Sequence, residues 1–128
     1  MTILLDGYNF IGRDKGLRGD IPEKRKRLVE RLTRYSALSG EPVVVVFDGG
    51  DSGNSSQEVS EGEPNGGVHI LFSGRDETAD DVILRLAEKL RERCLVVSSD
   101  RAVQEGAGRV GAAVLYSGQF EARLHSLS

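Results

Sequence analysis

Ile3-Leu4-Leu5-Asp6-Gly7-Tyr8-Asn9 opens the chain on an apolar run that ends at an acid, and Val43-Val44-Val45-Val46-Phe47-Asp48-Gly49 repeats the arrangement further along. Both runs are short, rich in β-branched residues and closed by glycine, which is the pattern of a buried strand rather than a helix. Two further runs, 68–72 and 95–97, have the same character, and a weaker fifth, 112–116, lies between Gly111 and Ser117-Gly118. Helical stretches separate them: 22–38, with Leu28, Val29, Leu32 and Tyr35 at helical spacing, then 78–93, and a final piece at 119–127. Strands alternating with helices predict an α/β fold, a mainly parallel central sheet of about five strands flanked by helices in a Rossmann-like arrangement.

A chain of 128 residues suits one domain spanning 1–128. No apolar run approaches the roughly 18 residues of a membrane span, and the first residues lack the basic segment of a signal peptide, so a cytoplasmic protein without membrane contact is expected. The lone cysteine, Cys94, begins an apolar run and reads as packing. A net charge of −3 argues against a protein that grips nucleic acid by overall positive potential. It leaves room for an enzyme whose carboxylates surround a cation. Residues 49–67 are dominated by Gly, Ser, Glu, Asn and Asp and read as a mobile loop, either an insertion or a substrate-facing flap.

The acids carry the chemistry. Asp6 and Asp48 directly follow the first two strands, and Asp100 follows the fourth after Ser98-Ser99. Parallel strands end at a common edge, where ligands bind in open α/β sheets, so acids distant in sequence converge there. Asp80 and Asp81 fall in the first turn of the helix after the third strand and join the same mouth. Each has a plainer reading: Asp48 as a turn former before Gly49-Gly50, Asp100 as a helix cap. Thr78-Ala79-Asp80-Asp81 fits a capping box that accounts for Asp81. Asp80 instead shares a helix face with Ile83 and Ala87 and leans toward the sheet, and Glu77 reads as a solvated helix-start charge. Four carboxylates in one mouth repel one another unless a cation sits among them. Magnesium or manganese, with a preference for hard oxygen ligands, suits such a site. His69 and His125 form no zinc spacing with Cys94 or with each other.

Taken in order, the stretch from Ile3 to Asn9, Val45-Val46-Phe47-Asp48-Gly49, Glu77-Thr78-Ala79-Asp80 and Ser98-Ser99-Asp100 resemble the YacP-like NYN domains of the PIN-like nuclease superfamily. The resemblance implies a three-layer PIN-like fold and a bacterial, cytoplasmic endoribonuclease dependent on Mg2+ or Mn2+, some members of which act on ribosome-associated mRNA. Asp6, Asp48, Asp80 and Asp100 match the family's acidic positions, and Asn9 matches the Asn of its DGYN motif. Two departures bear on ribosome engagement: no basic helical extension follows Ser128, and the loop after Asp48 is longer and more acidic.

On this reading Asp6, Asp80 and Asp100 ligate metal directly or through water, and Asp48 supports them or positions a water. Asn9 orients Asp6 or bonds a phosphate, or only forms a turn. Ser98 and Ser99 donate to phosphate or cap the following helix. Arg13, Lys15, Arg18, Arg75 and Arg101 lie on the loops of the mouth as candidate RNA contacts. The run Lys24-Arg25-Lys26-Arg27 is either a solvated face or an RNA track, and Tyr8 either stacks on an unpaired base or packs in the core. Two rival functions are a non-catalytic RNA-binding or interaction module of the same fold and a magnesium-dependent phosphatase or phosphotransfer receiver. Against the second, Asp6-Gly7-Tyr8 lacks the further aspartate that a haloacid-dehalogenase phosphatase needs, and no lysine ends the fifth strand.

Overall fold

Strand β1 (Thr2–Asp6) runs through the middle of the sheet, hydrogen-bonded on one side to β2 (Val43–Phe47) and on the other to β5 (Cys94–Val97), both parallel to it. The computed structural model describes residues 1–12, 19–49, 57–61 and 67–127. Beyond β2 lies β4 (Val68–Phe72), and beyond β5 lies β6 (Ala113–Leu115), again parallel. These five parallel strands are the ones expected from the apolar runs.

A sixth strand, β3 (Gln57–Glu61), pairs antiparallel with β4 and gives the order β3-β4-β2-β1-β5-β6. It corrects the expectation of a loop without structure across 49–67. Gln57-Glu58-Val59-Ser60-Glu61 contains one apolar residue, so no period-two signal marks it. Its backbone pairs along one side of β4. Residues 50–56 and 62–66 of that segment, and Arg13, Lys15 and Arg18, fall outside the described residues.

Side chains alternate across the sheet, as the pleat requires. Ile3, Leu5, Val43, Val45, Phe47 and Ile70 face one layer, made by α1 (Gly7–Gly12), α2 (Ile21–Ser39) and α5 (Ser117–Leu127) through Phe10, Leu32, Tyr35, Phe120 and Leu124. Leu4, Val46 and Val96 face the other, made by α3 (Ala79–Leu90) and α4 (Arg101–Arg109) through Ile83, Ala87, Val103 and Ala107. Each large apolar side chain fully buried in these layers contributes about 1.5–3 kcal/mol. No described helix is long and apolar enough to cross a membrane.

Local chemistry sets the helix ends. Asp20 caps α2 by accepting from Glu23 N at 3.2 Å, Pro22 sits in the first turn, and Gly40 ends the helix at φ 77°. Thr78 and Asp81 form the capping box of α3, with reciprocal bonds of 3.2 and 2.9 Å. Helix α1, which the sequence reading did not include, begins at once after β1 because Asp6 Oδ1 accepts from Asn9 N at 3.1 Å. At six residues it offers no readable period. The tight passage from β1 to α1 brings the Gly7 backbone onto the Phe47 ring, where a Cβ would overlap ring atoms. Gly7→Ala is therefore expected to lower stability by about 1–3 kcal/mol through overpacking. Thermal melts check this, and an unchanged melting temperature would contradict the described contact.

Candidate active site

At the C-terminal edge of the sheet, Asp6 ends β1 and Asp80 stands in the first turn of α3, with their carboxyl groups within hydrogen-bonding reach of each other. Burial is the main force pushing the Asp6 carboxyl up, to about 6; the Asn9 N–H acts against it, and repulsion from Asp80 and Asp48 adds to it. Asp80 is raised as well, again chiefly by burial, pulled back by the bond from Asp6 and pushed up by Asp100, Asp81 and Asp48. Asp6 and Asp80 thus both keep a proton to higher pH than an ordinary aspartate. This is how two carboxyls occupy one site without cation: a proton offsets one charge.

The two other acids approach from the neighbouring strand ends. Asp48 Oδ1 accepts from Ser73 Oγ at 3.1 Å, and Ser73 Oγ in turn accepts from Gly49 N at 2.9 Å. Ser73 is itself buried and follows β4 directly, so β4 fixes an acid that belongs to β2. Asp100 caps α4, accepting from Ala102 N at 2.8 Å and Val103 N at 3.2 Å through Oδ1. Its backbone is anchored by Ser98, whose buried Oγ accepts from Asp100 N at 3.0 Å, and Gln104 Nε2 donates to Ser98 O at 2.7 Å. Asp48 and Asp100 both act on the pair through their charge.

The donor set fits an oxygen-liganded cation. Its charged members are all carboxylates, their repulsion favours positive charge among them, and Asn9 Oδ1 is a buried oxygen without a hydrogen-bond partner. Among the described residues no three acid, His or Cys side chains are grouped closely enough to hold an ion between them. Asp6 and Asp80, with the charges of Asp48 and Asp100 beside them, are the residues that would hold such a cation, and magnesium would suit them because it keeps several waters.

The remaining sequence candidates fall in different places. Asp81 serves the capping box, and Glu77 accepts from Gly74 N at 3.0 Å and pairs with Arg85 at 2.9 Å, so it is a structural tie rather than a solvated charge. Ser99 and Arg75 are exposed near the edge. Arg101 is exposed and pairs with Glu105 at 3.4 Å along α4. Tyr8 packs against the core, its ring 4.9 Å from that of Phe47, and its hydroxyl accepts from Arg25 at 2.9 Å. Arg25 thereby leaves the basic run and turns toward the sheet. Ser73 escaped the sequence reading, although a small polar residue directly after a strand at this edge was a usable signal.

A parallel sheet layered by helices, with acids from three strand ends and a crossover helix at one mouth, defines a PIN-like domain of the nuclease type. The chain belongs to the YacP-like NYN domain family, whose model matches residues 3–128. It is 32% identical over 92 residues to YacP of Bacillus subtilis (strain 168), which covers 69% of this chain and 52% of that protein. The chain thus spans about half the length of the curated relative it matches. Two crystal structures of Rae1 (YacP) from Bacillus subtilis are similar to it. A mutant form matches at TM-score 0.78 and 26% identity, and another structure at 0.76 and 25%; each covers 99% of this chain, and 76% and 75% of the respective relative. Family membership gives the chain a nuclease-like, RNA-related character.

The raised carboxyl of Asp6 has a consequence for stability. Carboxyls in an unfolded chain titrate near about 4, so between there and about 6 the folded protein retains a proton on Asp6 that the unfolded chain has released. The folded state binds more protons in that window. Its metal-free stability is therefore full below the window and is lost as pH rises through it, by roughly 1.4 kcal/mol per pH unit for one proton. Asp6→Asn should remove that contribution. Melts of both proteins in chelator from pH 4 to 7 check it, and parallel curves would contradict the described pair.

Proposed function

We propose that residues 1–128 form a single nuclease domain of a bacterial, cytoplasmic endoribonuclease that hydrolyses RNA phosphodiester bonds with Mg2+ or Mn2+, acting on single-stranded RNA and, in its biological setting, on mRNA at the ribosome. The observation that carries this reading is the Asp6–Asp80 carboxyl pair, partly buried, held from two elements and flanked by the charges of Asp48 and Asp100. Family membership supports the same class.

Asp6 and Asp80 would hold the cation, with Asp100 and Asp48 reaching it through water. When bound, the cation supplies charge compensation on the phosphate and a lowered pKa for the attacking water. Asn9 N fixes the orientation of Asp6, and Ser73 fixes that of Asp48. Asp48, held by the Ser73 hydroxyl, would support the cation or position the attacking water. The free amides at the start of α4 are already engaged by Asp100, so this helix start serves the acid before any phosphate.

Manganese-dependent cleavage of a short single-stranded RNA tests the proposal. Asp6→Asn and Asp80→Asn should each lower the rate roughly 10²-fold or more, because charge compensation at the phosphate is lost while shape is kept. Asp81→Asn should retain most of the rate and lose about 1 kcal/mol of stability through the cap. A more damaging Asp81→Asn would overturn the assignment along α3. RNA binding without metal-dependent cleavage would turn the reading to a non-catalytic module.

A further inference from the structure

On the opposite side of the sheet from α3, the rings of Tyr8, Phe47 and Phe72 form a short ladder, with centroids 4.9 Å apart for the first two and 5.7 Å apart for the second two. Arg25 of α2 lies over it. Its guanidinium carbon is 5.9 Å from the Phe47 centroid and 5.7 Å from that of Phe72, and Nη1 donates to Tyr8 Oη at 2.9 Å. Tyr8 and Phe47 close one end of the ladder inside the core. At the other end Phe72 is half-buried and, among the described residues, walls a cavity of about 410 Å3 between α2 and β4 together with Pro22, Arg25, Lys26, Val29 and Ile70. Glu30 is the one acid that lines the groove among the described residues.

The residues at the upper end of the groove are chain neighbours of the acidic edge. Phe47 is bonded to Asp48, and Phe72 is bonded to Ser73, whose hydroxyl holds the Asp48 carboxylate. A strand of RNA crossing the sheet edge with one phosphate at the acids would bring a neighbouring nucleotide to the α2 side. There it meets the half-buried ring of Phe72, a guanidinium already fixed by the Tyr8 hydroxyl, and the exposed ammonium of Lys26. Base stacking on aromatic side chains tolerates any base and needs it unpaired, while a lysine at the lip meets the backbone charge. The chain's net charge of −3 makes such local positive charge the means of holding RNA beside acids.

We infer that the groove between α2 and β4 is a subsite for an unpaired RNA base next to the cleaved phosphate, with Phe72 as the stacking platform, Arg25 as its fixed edge and Lys26 as the phosphate contact. This rests on the nuclease reading for its register on the RNA, not for binding itself.

The experiment measures binding of a labelled single-stranded RNA 8-mer, and of an 8-mer without bases, by fluorescence anisotropy in chelator, where no cleavage occurs. Phe72→Leu should weaken the normal 8-mer about tenfold and leave the abasic one unchanged, whereas Phe72→Tyr, which keeps the ring, should bind both like the wild type. Lys26→Gln, at an exposed position, should weaken both RNAs and make the slope of log affinity against log salt shallower by about 0.7. If Phe72→Leu melts early, Lys26→Gln and Phe72→Tyr still decide. Unchanged affinity in Phe72→Leu and Lys26→Gln, or equal affinity for a blunt duplex of the same length, would overturn the subsite and leave the cluster as a staple of α2 to the sheet. Base-dependent binding with no cleavage in manganese would keep the subsite and sink the nuclease; cleavage with unchanged Phe72→Leu binding would do the reverse.

Discussion

Two carboxyl groups pressed together at the rim of a protein core repel each other, and every choice around them follows from that repulsion. Burial and that repulsion raise both carboxyls, that of Asp6 to about 6. Near neutral pH, above that value, the proton is mostly released and the repulsion is felt between two charges. A divalent cation relieves the same repulsion with more charge and without the proton. The arrangement is therefore strained in a way that a ligand removes, which is common where function rather than stability selects the residues.

The sheet exists in this form to keep the strain in place. β1 sits at its centre, paired on both sides, so the residue at its end is positioned by two neighbours. Asp48 ends the adjacent strand and is pinned by Ser73 of the next one, while Asp100 is pinned through Ser98 and the cap of α4. These ties spend backbone amides and hydroxyls that could otherwise drift to water. They explain why acids from separate elements stay together despite their like charge.

Much of this was legible beforehand, for identifiable reasons. Parallel strands end at one edge, so Asp6, Asp48 and Asp100 had to meet once the apolar runs were read as strands. The capping box separated Asp81 from Asp80, and helical spacing turned Asp80 toward Ile83. What stayed hidden lacked a periodic signal. Helix α1 is too short to show one, and β3 carries a single apolar residue because backbone pairing to β4 defines it. Ser73 is one small residue whose role needs the third dimension. Arg25 was submerged in a basic run, yet its spacing to Leu28, Val29 and Leu32 matches the buried stripe of α2, and that spacing was the available clue.

Under the proposed function the two faces of the edge divide the work. On the α3 side stand the acids, and on the α2 side stand rings and fixed positive charge, joined at Phe47-Asp48 and Phe72-Ser73. An acidic protein can hold a polyanion in this way by separating the charges that carry metal from those that carry backbone. The account stands on the first of these faces. Its most direct test is anomalous diffraction from a crystal soaked in manganese: the account predicts a peak between the carboxylates of Asp6 and Asp80, with Asp48 and Asp100 at water-bridged distance, and a peak elsewhere on the protein or none at that pair would contradict it.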